Sequence, residues 1–449
     1  MNDKNNKLNS QSLLIIFAYA PTGFGHLRVS DALYRGLPSY ISPLLLGSRD
    51  KSLSYLYRLV SVNPLTRAIF EWFEHGILER ITTPVYRWYL RSHTQILYEQ
   101  FITILDQRLI SPQTVLIIAT HFGLAHQIAS LKERLMAERK IKILLAVQIT
   151  DDIPHRIWYI PGADIIFVPS DRTKKKLEEY GKHAGLPPVT FETNPYPTNP
   201  LLNIDLTKDE NENKLSQVDF EKTSKIHMMI PISGAAVGTA PLTKLIDELY
   251  TLSHRFVFHV VTKNAPYTRV FVSEMLNRTF IKLIVSSVDK DVINKYVEIY
   301  TNEIISLEVT KPSEQAFKAL LNTDKRGGVI LLFTTPIGKQ EHYNLDFLIR
   351  HNLIPSSIQE KSLWNLAEKN KTLDKEQAKK IRDSAKEWRG ISIPNEPKKA
   401  AKFILWCLKR GLFTAMMQKK YFPRSGDPHA EELNPHGVEK FWQKVEAMI

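Results

Sequence analysis

The chain has 449 residues, enough for two or three domains at about 100–200 residues each. A hydrophobic fraction of 43% and a charged fraction of 24% are those of an ordinary globular protein, which excludes a largely disordered or fibrous chain. The net charge of +13 calls for an anionic partner, and the single cysteine, Cys407, excludes an internal disulfide framework or a Cys-cluster zinc site.

In chain order, Leu13–Ala20 reads as a strand buried on both faces. Lys4 and Lys7 precede it, and Ala18-Tyr19-Ala20 imitates a signal-peptidase site. The apolar stretch is short, however, Pro21 would follow the cut, and cleavage would remove the first strand. A reducing, cytoplasmic location is therefore expected. No apolar run approaches the ~20 residues of a membrane span. The loop Gly23-Phe24-Gly25-His26 follows, then a helix over Arg28–Gly36. Glycines there admit a substrate close to backbone N–H groups, and His26 is placed to act as a general base on a substrate hydroxyl.

Residues 51–105 hold a dense aromatic set, Tyr55, Tyr57, Phe70, Trp72, Phe73, Tyr86, Trp88, Tyr89, Tyr98 and Phe101, interleaved with arginines. Helix packing and an interfacial or acceptor-binding surface both fit that pattern. Strands are expected at Val115–Ala119, Ile143–Ile149 and Ile165–Val168, with a charged helix over Arg172–Tyr180 stopped by Gly181. Thr150-Asp151-Asp152, His155 and Trp158 follow a buried strand, the end at which α/β sheets bind ligands. Adjacent residues of a strand point oppositely, so Asp151 and Asp152 are a poor pair for one metal ion.

Asn194-Pro195-Tyr196-Pro197-Thr198-Asn199-Pro200 cannot be helix or central strand, and the polar Asp205–Lys225 follows it. The second half restarts with strand Ile226–Ile232, the loop Ser233-Gly234-Ala235-Ala236-Val237-Gly238 and a helix from about Pro241. That loop lacks the Lys-Ser or Lys-Thr of an ATPase phosphate loop and the full glycine pattern of a redox dinucleotide site, while its helix start suits a diphosphate. Strands Phe256–Val261, Ile281–Val285, Ile304–Leu307 and Val329–Phe333 follow; Asp289-Lys290-Asp291 reads as a solvated turn. Gln340, Glu341 and Asn344 fall near one face of a helix start, where amide and carboxylate groups can read sugar hydroxyls.

The fold class is therefore α/β, two Rossmann-like domains facing across a cleft. The boundaries are an N-terminal domain over 1–203 with the aromatic insertion 51–105, a charged linker over 204–225, a C-terminal domain over 226–396 and a basic helical segment over 397–449. The C-terminal helices are candidates to pack back across the cleft. Between Pro397 and Gly426 there is no acidic residue, whereas Lys398, Lys399, Lys402, Lys409, Arg410, Lys419, Lys420 and Arg424 are basic. On a helix the first five share one side, with Trp406 among them as an interfacial aromatic and Ala401, Ile404, Leu405 and Leu408 opposite. A core helix with a solvated basic edge is the competing reading. No zinc-finger, helix-turn-helix or RNP-like pattern stands out, so the anionic partner is not expected to be nucleic acid.

In order, these motifs resemble the GT-B glycosyltransferases of family 28, over roughly residues 13–355. Gly23-Phe24-Gly25-His26 is similar to the family's N-terminal Gly-Gly-Gly-His loop, and Thr150-Asp151, His155 and Trp158 to its Thr-Asp … His … Trp segment. Ser233-Gly234 through Gly238 resembles the Gly-rich start of its donor domain, Lys263-Asn264 its Gly-x-Asn turn, Lys311-Pro312 its Lys-Pro-Gly, and Gln340-Glu341 with Asn344 its Gln-Glu-x-x-Asn. Ser313 replaces the glycine after Pro312, and Ala319 or Leu320 stands where the family places a ribose-binding glutamate.

The resemblance implies an inverting transfer of sugar from a nucleotide sugar, UDP-linked, to a lipid hydroxyl at the inner face of an anionic membrane. It implies His26 as base, with Asp151 the next candidate, and Gly23, Gly25 and Trp158 near the acceptor. Gly234, Gly238, Asn264, Lys311, Gln340, Glu341 and Asn344 are implied to bind the donor. No metal or other cofactor is required in that scheme. The alternatives are a nucleotide-sugar epimerase of similar fold and a non-catalytic nucleotide-binding protein on the same scaffold.

Overall fold

The computed structural model describes residues 7–19, 24–47, 76–232, 234, 236, 238–336, 338–369, 373–418 and 426–449, with side chains in the 76–232 stretch described from residue 79. The chain divides into two compact units. Unit 1 is Met1–Asn199 with His436–Ile449, and unit 2 is Pro200–Pro435.

Unit 1 is built on a parallel sheet of order β2-β1-β3-β4-β5-β6. Its strands are β1 (Leu13–Tyr19), β2 (Leu44–Gly47), β3 (Thr114–Ala119), β4 (Lys142–Gln148), β5 (Ile165–Val168) and β6 (Phe191–Thr193). β1 pairs with β3 in a register that sets Phe17 against Ile118. Ile16, Phe17 and Ala18 are fully buried, as an apolar run covered on both faces must be. Leu14, Ile16 and Ala18 join the cluster under helix Phe122–Arg139, while Phe17 meets Tyr34 and Trp442.

Trp442 comes from the last helix, Gly437–Glu446. The final residues thus complete the core of the first unit, with Phe441 against Phe167 and the Trp442 indole N–H donated to the Leu33 carbonyl at 2.8 Å. Two glycines make that docking possible. A Cβ on Gly36 would lie 2.1 Å from Val438, and one on Gly437 would lie 2.4 Å from the Pro195 carbonyl oxygen.

Unit 2 repeats the architecture with the order β12-β11-β10-β7-β8-β9, all parallel. Its strands are β7 (Ile226–Pro231), β8 (Phe256–Lys263), β9 (Ile281–Ser286), β10 (Leu307–Thr310), β11 (Val329–Leu332) and β12 (Gly390–Ser392). Two Rossmann-like units are therefore present, as the pattern of strands and Gly loops implies. In each, the strand order reverses beside the first strand, between β1 and β3 and between β7 and β10, which opens a crevice at the C-terminal strand ends.

Several local expectations are corrected. Residues 204–225 are not a bare linker, because Lys208–Val218 is a helix opened by a Thr207–Glu210 capping box. It buries Lys214, whose ammonium donates to the carbonyls of Thr323, Lys325 and Gly327. Gly181 does not stop its helix, which runs over Asp171–His183; a Cβ there would lie 2.1 Å from the Tyr159 ring, so glycine serves close approach. Asp289-Lys290-Asp291 is the first turn of helix Asp289–Asn302, where carboxylates complement the helix dipole, and Asp289 pairs with Lys263 at 2.5 Å.

The expected C-terminal segment is shared between the units. Helix Pro397–Lys409 is a core helix of unit 2 with Phe403, Ile404, Trp406, Cys407 and Leu408 buried. Trp406 faces inward rather than outward, so it is not an interfacial aromatic. Lys398, Lys399, Lys402 and Lys409 form its exposed edge. Among the described residues no helix is long and apolar enough to cross a membrane.

Candidate functional site

In unit 1 the polar side chains gather where β1, β3 and β4 end. Helix Phe24–Arg35 starts directly before His26, placing that residue in its first turn. Thr150 follows β4, and its backbone is held by the buried Tyr196, whose hydroxyl donates to the Thr150 carbonyl at 3.1 Å. The Thr150 hydroxyl lies 3.2 Å from His26 Nδ1 and donates to Asp151 Oδ2 at 3.3 Å. A hydroxyl has one hydrogen. Given to Asp151, it obliges His26 Nδ1 to be the protonated nitrogen, which leaves the lone pair on Nε2. Trp158 stands beside the imidazole, centroids 6.4 Å apart.

His121 and Thr120 belong to the same group, although the sequence reading did not single them out. They follow β3 directly, which was the available signal. The Thr120 hydroxyl donates to the His26 carbonyl at 3.1 Å and accepts from Ser30 at 2.8 Å. His121 packs edge-on against His26 at 5.0 Å and stacks on Phe122, which meets Trp158 at 5.6 Å. Burial first, then the neighbouring His26, holds the His121 imidazole well below the ordinary histidine value, so it is neutral. Its Nδ1 is buried without a hydrogen-bond partner.

Asp152 is turned the other way. It is fully buried and accepts from Ser170 at 2.5 Å and Thr173 at 2.9 Å, pinning the cap of helix Asp171–His183. One acid of the pair is structural and the other reaches His26 through Thr150. His155 accepts from the Ile157 N–H and sits 3.9 Å from Glu79, so it caps a turn.

Helix Gly76–Ser92 anchors this segment. Buried Arg87 donates to the Arg156 carbonyl at 3.1 Å and Arg91 to the Pro161 carbonyl at 3.0 Å. The opposite face of that helix presents Ile81, Val85, Trp88 and Tyr89 to solvent, Trp88 at 68% exposure. In the described part of the aromatic stretch, Arg87 and Leu90 pack inward, as helix packing requires, and an apolar row stays outside. Phe101 is in the core and Tyr98 bonds Glu138. Tyr55, Tyr57, Phe70, Trp72, Phe73 and Gly23 lie outside the described residues; Gly25 is in the helix start.

In unit 2 the corresponding edge carries the second set. Gly238 caps helix Thr239–Leu252 at φ 84°, a left-handed conformation natural to glycine, and Ala236 adopts φ 54° two residues earlier. The Gly234 carbonyl accepts from the Tyr267 hydroxyl at 2.8 Å, tying the Gly loop to the turn after β8. Asn264 is in that turn with an exposed side chain, its N–H bonded to the Ser286 carbonyl at 2.8 Å. Ser233, Ala235 and Val237 lie outside the described residues.

Lys311, just past β10, reaches Glu341 on helix Gly338–Arg350 at 3.8 Å. Asn344 is buried one turn later, whereas Gln340 is exposed, so Glu341 and Asn344 share the inward face and Gln340 does not. Ala319 and Leu320 are core residues. No acid therefore stands at the place the resemblance gives to ribose recognition. Thr334 was missed by sequence reading. It holds φ 128°, a strained value for a β-branched residue, and its buried hydroxyl has no partner. Its methyl would touch a Cβ at Gly238 at 3.9 Å. Strain and an unsatisfied hydroxyl coincide beside a helix N-terminus, where an anion is favoured.

No family model matches the sequence, and no curated protein matches it. Among solved structures, the chain is similar to UDP-GlcNAc 2-epimerase from Neisseria meningitidis bound to UDP-GlcNAc, with 8% identity, TM-score 0.48 and coverage of 97% of this chain and 100% of that one. It is similar to an Arabidopsis thaliana protein complexed with UDP-L-rhamnose, with 10% identity, TM-score 0.46 and coverage of 97% and 98%. It is also similar to MurG of Acinetobacter baumannii, with 9% identity, TM-score 0.41 and coverage of 97% and 100%.

Proposed function

We propose that this chain is a nucleotide-sugar enzyme, an inverting glycosyltransferase that moves a sugar from a UDP-sugar to the hydroxyl of a lipid acceptor. The observation that carries the reading is the chain of contacts from Asp151 through Thr150 to His26 Nδ1, which leaves Nε2 as the basic nitrogen at a ligand-binding strand edge. In this reaction the acceptor oxygen attacks the anomeric carbon and its proton passes to His26 Nε2. The bond from that carbon to the diphosphate breaks, and its electron pair leaves with the diphosphate oxygen. Asp151, through Thr150, stabilises the imidazolium so formed. The N-terminus of helix Thr239–Leu252, together with Lys311, offsets the charge on the departing diphosphate. Glu341 and Asn344 are assigned to the donor sugar.

The lipid acceptor and an anionic membrane surface, at the cytoplasmic face, are supported by the exposed row Ile81, Val85, Trp88 and Tyr89. That row lies on the helix that holds the Trp158 segment in place. Reversible interfacial binding is what such a face suits.

The experiment is to incubate the purified chain with a panel of nucleotide sugars and membrane lipids and to follow nucleotide diphosphate release. His26→Ala should lower turnover about 10²–10⁴-fold while nucleotide binding survives. Turnover within a few-fold of wild type removes His26 as the base. Accumulation of an epimerised sugar without an acceptor assigns the chain to the epimerases instead, and failure of every nucleotide and nucleotide sugar to raise the Tm removes the enzyme reading altogether.

A further inference from the structure

His227, His259 and Glu303 converge in unit 2 from three separate elements. The register sets His227 of β7 beside Val257 and His259 of β8 beside Met229, so the two imidazoles are diagonal neighbours on one sheet face. The main apolar cluster lies on the other face, with Ile226, Met228, Phe256 and Phe258. Helix Asp289–Asn302 contacts β8, and Glu303 is its C-cap residue.

We propose that these three side chains bind one divalent metal ion of the zinc class. His227 Nδ1 lies 3.0 Å from His259 Nε2 and 3.4 Å from Glu303 Oε2, and one ligand atom from each residue falls within 4.8 Å of the others. Ligands held at about 2.0–2.1 Å in a tetrahedron are separated by about 3.3 Å, which the two shorter distances bracket. Two imidazoles and a carboxylate suit zinc and its neighbours, whereas magnesium and calcium prefer oxygen ligands alone.

The ligands are held on anchored backbone. The His227 N–H donates to Gln217 Oε1 at 3.0 Å, its carbonyl accepts from Ser306 N–H at 3.1 Å, and the Glu303 N–H donates to the Ile299 carbonyl at 2.8 Å. Glu303 Oε1 faces Lys282, which orients the carboxylate while Oε2 points to the histidines. The C-terminus of the helix adds negative potential where a cation would sit. His259 is buried, but the His227 and Glu303 side chains keep 21% and 29% exposure, which leaves an entry path and a fourth position for water. A metal here would clamp the end of helix Asp289–Asn302 to the sheet. His227 is the second residue of β7, at the opposite strand end from the Gly loop, so the site is independent of the transfer chemistry proposed above.

A second group, His351, His429 and Glu432, is comparably close, but there the Arg350 guanidinium stands 3.8 Å from Glu432 Oε2, the same oxygen that His351 faces, whereas Lys282 meets the Glu303 oxygen turned away from His227. It serves as the control. The full chain, stripped with chelator and dialysed, is titrated with zinc chloride by calorimetry, and its Tm is followed with zinc and with magnesium. One zinc per chain and a Tm rise specific to zinc are expected. Glu303→Gln and His227→Gln should each weaken zinc binding by more than the roughly 10–100-fold that loss of an outer-shell partner costs, and His429→Gln should leave it unchanged. No zinc uptake, wild-type uptake in the Glu303 variant, or loss of uptake only in His429→Gln overturns the proposal. Glu303 is a partly exposed cap residue, so its variant remains informative should the His227 variant not fold.

Discussion

Trp442→Ala tests whether the last helix belongs to the core of unit 1. The Trp442 side chain is 5% exposed and packs 6.2 Å from Phe17 and 5.3 Å from Phe441. A buried aromatic of about 150–250 Å² at about 25 cal/mol per Å² represents some 4–6 kcal/mol as an upper bound. The indole hydrogen bond adds only about 0.5–1.5 kcal/mol, because the Leu33 carbonyl also accepts from Gly36 N–H at 3.1 Å. Allowing for the remaining methyl and partial collapse, the expected loss is about 3–5 kcal/mol. Trp442→Phe, which keeps most ring contacts, should cost about a third of that. Gly36→Ala should cost about 1–3 kcal/mol by overpacking, since its Cβ would meet Val438, and Val438→Ala in the same chain should recover part of it. Urea unfolding followed by far-UV circular dichroism gives the measurement. With a slope of about 2–3 kcal/mol per molar, the transition of unit 1 should move down by at least about 1 M in Trp442→Ala. If that variant, and a chain ending at residue 435, both leave the transition within about 1 kcal/mol of wild type, the helix is an accessory and the argument fails.

Thr334→Gly should relieve about 1–3 kcal/mol of backbone strain, less about 0.5–1 kcal/mol for the entropy of glycine, so stability should be unchanged or rise by up to about 2.5 kcal/mol. Nucleotide affinity should fall about 2–10-fold with the hydroxyl gone, and unchanged affinity by calorimetry removes Thr334 from the donor site. His126 is buried against the Ile157 carbonyl at 2.8 Å, and burial lowers its pKa from 6.5 to about 3. The folded state therefore favours the neutral form, and the unfolded chain takes up the proton first. Stability should drop as pH falls from about 6.5 towards about 3, by up to about 1.4 kcal/mol per pH unit, and His126→Gln should flatten that slope in urea titrations. Trp88→Ser with Tyr89→Ser should abolish sedimentation with anionic liposomes without changing the Tm by more than about 2 °C, because both side chains are exposed. Binding equal to wild type would detach the membrane reading from this helix.

Much of the candidate site was legible because ligand-binding groups in a parallel sheet collect at strand C-termini, and strands buried on both faces announce themselves as apolar runs. Leu13–Tyr19, Lys142–Gln148 and Ile226–Pro231 could be located that way, and His26, Asp151 and Gly238 each follow such a strand; the strand before Lys311, expected at Ile304–Leu307, lies at Leu307–Thr310. The strand order β1-β3-β4 and the start of helix Phe24–Arg35 then bring His26 to Thr150. What composition could not separate was the direction of neighbouring polar side chains. Asp151 and Asp152 look alike in sequence, yet one faces His26 through Thr150 and the other is sealed beneath Ser170 and Thr173. Gln340 and Asn344 share a helical stripe on paper, but only the latter is turned into the protein.

The two α/β units, and the start of the Gly loop in each, can be read from the residues because hydrophobic period and turn chemistry are local properties. Which surface each helix covers depends instead on the assembled fold. The basic helix Pro397–Lys409 has an amphipathic pattern that suits a membrane or a core equally, and the packing of helix Thr239–Leu252 against it made it core. Helix Gly437–Glu446 carries no local sign of its destination, since the cavity that Trp442 fills is made by Leu33, Gly36 and Phe17, some 400 residues earlier in the chain. Contacts so distant in sequence leave no periodicity to read; their free energy is set by the shape of a surface that exists only after the sheet has formed.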